Sequence, residues 1–127
     1  MSLTSPHLVL GDNGEISVTQ GDNVSFSITV VDASNAAINL AGYSVFFTVK
    51  EFYDKDDSDS RALIKKKITT FSGTGNNIAT VTLTSTDTDI ATKRYKYDIQ
   101  LVNTSNEVQT VILAGFTVTP QVTNRVV

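Results

Sequence analysis

The sequence predicts an all-β domain, an antiparallel β-sandwich of about seven strands, and three observations carry that expectation. From residue 15 onward, apolar and polar residues alternate with period two. The alternating runs are rich in Thr and Val, residues that suit a pleated, half-buried surface. Between the runs lie short clusters of Gly, Asn, Asp and Ser, which tolerate positive φ or bond their own backbone and so turn the chain.

The runs place strands at about 15–20, 23–32, 43–52, 61–70, 77–84, 94–103 and 107–119. In NVSFSITVVD, Val24, Phe26, Ile28 and Val30 share one face, and Ser25, Ser27 and Thr29 the other. YSVFFTVK groups Tyr43, Val45, Phe47 and Val49, and NIATVTLT groups Ala79, Val81 and Leu83. RYKYDIQL is the cleanest, with Tyr95, Tyr97, Ile99 and Leu101 inward and Arg94, Lys96, Asp98 and Gln100 outward. Such alternation marks sheets with one buried and one wet face. STDTDIAT (85–92) reads as a single helical turn capped by Ser85 or Thr86. Seven short strands at this spacing give an immunoglobulin-like outline over 15–120, flanked by an N-terminal arm (1–14) and a C-terminal tail (121–127). In that outline Tyr95 falls where a corner tyrosine bonds back across the turn, with Asp89 and Ala91 just before it.

A chain of 127 residues suits one domain. Net charge is −3, which leaves no basic footprint for nucleic acid. There is no cysteine, hence no disulfide, thiolate metal site or cysteine nucleophile. No apolar run nears the roughly 20 residues of a membrane helix, and the first residues do not read as a secretory signal. No membrane or nucleic-acid partner is therefore expected.

Few residues read as chemistry. DKDDSDS (54–60) offers Asp54, Asp56 and Ser58 at the first three ligand positions of a calcium loop. Asp59 then stands where glycine is needed and Lys65 where a bidentate glutamate is needed, so the segment reads as a solvated connection between strands. Lys66 shares a face with Ile64 and Ile68, an inward charge of the kind that protects an edge strand. GTGNN leads into a strand rather than a helix and so is a hairpin turn, not a phosphate cradle. His7 is the only histidine, which rules out assembling a Ser-His-Asp or metal-histidine set. Glu15, Glu51 and Glu107 sit at strand ends or turns. No catalytic, cofactor-binding or metal residue is assigned, and no enzyme activity is expected.

What remains is surface. Phe46 lies on the polar face of its strand, and Val111, Ile112 and Leu113 form a run in which one residue must face away from the core. HLVLG near the start, and Val122 and Val126 in QVTNRVV, have no evident partner inside seven strands. Phe46, Val111, Ile112, Leu113, Val122 and Val126 are the expected contacts with other subunits.

The order of motifs resembles the N-terminal domain of the phage baseplate upper protein family: QGD opening the second strand, NLAGYSVFFTVKE, LTSTDTDIA before YKYDIQL, and a closing hairpin ending GFTVTP. The likeness runs from about residue 15 to 120. Lys93-Arg94 stand where that family usually has a glycine before the tyrosine. The resemblance implies a non-enzymatic, immunoglobulin-like component of a phage or prophage tail, made in the host cytoplasm and held in the virion. Its partners would be tail or baseplate proteins and further copies of itself. The alternative from another class is a bacterial surface-adhesion or carbohydrate-binding sandwich. Against that stand the absence of tryptophan and the inward alternation of most tyrosines.

Overall fold

A computed structural model describes residues 2–4, 9–10, 15–32, 34, 36–51 and 62–120; for 2–4, 9–10, 111 and 112 it describes the backbone. Within these, nine strands run in chain order: β1 (Ser2–Thr4), β2 (Val9–Leu10), β3 (Ile16–Thr19), β4 (Val24–Thr29), β5 (Ser44–Lys50), β6 (Ala62–Ile68), β7 (Ile78–Leu83), β8 (Arg94–Val102) and β9 (Val108–Thr119). They form a three-stranded sheet, β1-β4-β7, and a six-stranded sheet, β2-β3-β9-β8-β5-β6. The chain is all-β, as the alternation predicts, and the seven expected runs each contain one strand.

The alternation explains the layers. Phe26 on β4 meets Phe47 on β5 across the core, edge to face, with ring centroids 5.3 Å apart. Phe47 also contacts Tyr97 at 5.5 Å and Phe116 at 6.1 Å, so one ring ties β4 to β5, β8 and β9. Around it, Val45, Val49, Ile99, Ala79, Val81 and Leu83 are fully buried. Placing β4 and β7 in one sheet and β5, β8 and β9 in the other is the partition of an immunoglobulin-like sandwich.

Three features differ from the sequence expectation. β3 runs parallel to β9, Ile16 beside Phe116 and Thr19 beside Thr119, so the sandwich is not wholly antiparallel. Period two is the same in either orientation, which is why the pattern could not show it. The N-terminal segment is not an unpaired arm: Ser2–Thr4 pairs with Ser27–Thr29, and Val9–Leu10 with Ile16–Ser17. The turn after β7 is capped by Thr84 rather than Ser85 or Thr86. Thr84 N–H donates to Asp87 Oδ2 at 2.8 Å and Asp87 N–H to Thr84 Oγ1 at 3.2 Å, a reciprocal capping box.

Two sets of turns are stitched together. Gly21 (φ 83°) lets the chain leave β3 and cross to the other sheet. The turn it makes is held to the segment after β7 by Thr88 Oγ1 donating to the Asp22 carbonyl (2.7 Å) and Gln20 Nε2 to that of Ile90 (2.9 Å). Elsewhere the buried Asn77 donates from Nδ2 to the Val30 carbonyl (3.1 Å) and accepts from Val30 N–H (2.9 Å) at its own carbonyl.

Candidate interaction surface

The exposed side of the six-stranded sheet follows from the inward set. With Val45, Phe47 and Val49 buried, Phe46 and Thr48 of β5 turn outward. On β9, Ala114, Phe116 and Val118 are buried, so Leu113 faces out and is 58% exposed. The pairings align Lys67, Phe46, Gln100 and Thr110 in one row and Lys65, Thr48, Asp98 and Leu113 in the next. Phe46 and Leu113 thus lie on the same face with β8 between them, roughly 10 Å apart laterally at ordinary strand spacing. Lys67 Nζ sits 5.7 Å from the Phe46 ring centroid, a cation–π contact, and Phe46 is half-buried.

Val111 is where the register between β8 and β9 slips: Ile99 pairs with Ile112 but Gln100 with Thr110, leaving Val111 as the extra residue of a bulge. The side chains of Val111 and Ile112 lie outside the described set, as do Val122, Val126 and the acidic segment 54–60. Val108, 61% exposed, was missed by sequence reasoning. The signal was available: Val102 ends the outward row of β8, and Val108 is its partner across the 103–107 turn.

One part of this face is closed by an ion pair. Arg94 donates to the Glu15 carboxylate, and the pair lies over Gly115. A Cβ on Gly115 would come within 2.7 Å of the guanidinium, so a side chain there would make the pair shift from its place on the strand.

At the start of β8 the Tyr95 hydroxyl donates to the Ala91 carbonyl at 2.5 Å, while the ring is buried in the core. Burial raises the Tyr95 phenol above its ordinary range, a tendency that the Lys93 charge opposes. Asp89, paired with Tyr95 in the sequence expectation, takes no part in this bond and is exposed; the acceptor is a backbone oxygen two residues further on. Lys93 instead pairs with Glu51 at 2.9 Å, and that hydrogen bond and charge raise its ammonium above the usual value. Lys66 reaches from the core side of β6 to Asp87 at 2.8 Å, bridging the two sheets. Partial burial works to raise the Asp87 carboxyl, but the Lys66 bond and charge and the Thr84 N–H outweigh it, and the group titrates below its usual range. Among the described residues no three His, Cys, Asp or Glu side chains are grouped to hold a metal.

These features define an all-β sandwich with one partly apolar outer sheet face. No family model matches the chain, and no curated protein matches it. Solved structures do. The soluble domain of PmoD from Methylocystis sp. (Rockwell) aligns over 81% of this chain and 77% of that one, with a TM-score of 0.50 and 7% identity. AggA, the major subunit of aggregative adherence fimbriae type I from Escherichia coli, aligns over 94% of this chain and 93% of that one, with a TM-score of 0.33 and 12% identity. The first is a likeness of fold alone, and the second is too loose to show even that.

Proposed function

We propose that the chain is a structural component of a phage or prophage tail, an immunoglobulin-like adaptor that works by protein–protein contact as a homo-oligomer. The observation that carries the reading is the outer face of the six-stranded sheet, where Leu113 and Val108 stand exposed near the half-buried Phe46. Support comes also from the order of the QGD, NLAGYSVFFTVKE, LTSTDTDIA and GFTVTP motifs. The mechanism is geometric. A rigid sandwich offers one face to a neighbour, and repetition of that contact around a symmetric particle multiplies a modest affinity.

The test is capture of tail proteins from a prophage-induced lysate by the immobilised chain, compared with a Phe46→Ser, Leu113→Asp double variant. The expected result is retention of tail or baseplate proteins by the native chain and loss of them by the variant, with the melting temperature held. Retention of cell-wall glycan in place of tail proteins would overturn the reading in favour of an adhesion domain.

A further inference from the structure

The two sheet edges on one flank of the sandwich are built differently. β6 ends the six-stranded sheet and carries Lys65, Lys66 and Lys67, charges that oppose pairing with another strand. β7 ends the three-stranded sheet, and its sequence IATVTL has no charge, no proline and an uninterrupted register. The phase of its backbone is fixed at one end. Ile78 and Ser72 exchange both hydrogen bonds, at 2.9 and 3.1 Å, so the Ile78 N–H and C=O point away from β4. By period two those of Thr80 and Thr82 point the same way, while Ala79, Val81 and Leu83 bond β4. Among the described residues, no strand pairs with that edge beyond Ser72.

We propose that this edge pairs antiparallel with the same edge of a second copy, about a twofold axis at Val81. Thr80 then lies opposite Thr82 of the partner subunit, and each such pair exchanges both backbone bonds, joining two three-stranded sheets into one. The occupant is a second copy because the pairing is self-complementary: the axis sets every outward donor against an outward acceptor. Charge agrees. The chain carries −3 and would repel itself through a charged surface, but the side chains beside this edge are the hydroxyls of Ser25, Ser27, Thr80 and Thr82, in contact at 3.3 and 3.4 Å. A basic peptide would find no carboxylate on β7, and an acidic one would find lysines only on β6 of the other sheet. The pairing is short, since Ser72 occupies Ile78 at one end and Thr84 N–H is bound to Asp87 at the other. It rests on the homo-oligomeric part of the reading above and is independent of which particle the protein serves.

Sedimentation velocity over a rising concentration series tests it. The native chain is expected to shift from monomer toward dimer. Thr82→Pro removes an outward N–H without touching the β4 ladder and should leave a monomer throughout. Thr80→Lys, which keeps the whole backbone, guards against misfolding of the proline variant and should weaken the dimer at least tenfold. A native chain that stays monomeric, or variants that associate as it does, would overturn the proposal. Loss of association in Leu113→Asp but not in Thr82→Pro would also overturn it, assigning self-contact to the outer sheet face and leaving the tail reading intact. Dimerisation through β7 with no capture of tail proteins would leave this proposal standing and fail the other.

Discussion

Tyr95 shows how much one residue can hold. Its ring is part of the core and its hydroxyl reaches the Ala91 carbonyl, so the turn between the sheets is fixed to the first residue pair of β8. Removing the hydroxyl leaves that carbonyl without its donor while sparing the packing. Tyr95→Phe is therefore expected to cost about 1–2 kcal/mol, the range for a lost buried hydrogen bond. Urea unfolding checks it, with a lower midpoint and an unchanged slope. The tyrosine was legible in the sequence because alternation places it inward just after a turn. Its acceptor was not, because any nearby carbonyl satisfies a hydroxyl and only the path of the turn selects Ala91 over a group near Asp89. The surroundings of Gly115 were equally illegible: the ion pair that lies over it comes from Arg94 and Glu15, which are far away in sequence.

At the scale of the element, the turn after β7 is a small electrostatic joint. Asp87 caps Thr84 and receives Lys66 from the edge strand of the other sheet. Its carboxyl titrates below the unfolded value of about 3.9, so its contribution is present above that pH and is lost as pH falls through the lower folded value. Asp87→Asn should accordingly be less stable than the native chain near neutrality. The gap should close as pH falls from about 5 toward 2, a series of unfolding curves being the measurement. A gap independent of pH would show that the side-chain shape, not its charge, holds the turn. The inward lysine on β6 was legible from the shared face of Ile64, Lys66 and Ile68. That it ends on Asp87 was not, since nothing in a strand pattern says which turn of the opposite sheet lies within reach.

The whole molecule is two sheets closed on one aromatic centre, and adjacent residues of β5 separate core from surface. Phe47 contacts rings from both sheets, whereas Phe46, next in the chain, faces out under Lys67. Phe47→Ala is expected to cost about 3–5 kcal/mol, a large part of a small domain's stability. Phe46→Ala should cost about 1 kcal/mol or less, the worth of an exposed cation–π contact. Thermal melts of the two variants measure the difference directly. Similar losses from both would mean that the outer face of the six-stranded sheet is itself covered within the monomer.

By itself the sequence determined the all-β class, the seven main strands, the face that most of their residues take and the places where several of the turns fall. These are local consequences of period two and of residues that accept turn geometry, and they hold whatever the strands pair with. The tertiary structure alone decided the parallel pairing of β3 with β9, the use of Ser2–Thr4 and Val9–Leu10 as added strands, the bulge at Val111 and, among the described residues, a β7 edge with no strand beside it beyond Ser72. Each of these concerns which strand lies beside which and in what direction. Alternation specifies what a strand turns toward the core, but its hydrogen-bonding edges carry the same backbone groups in every sequence, so neighbours are chosen only when the layers close.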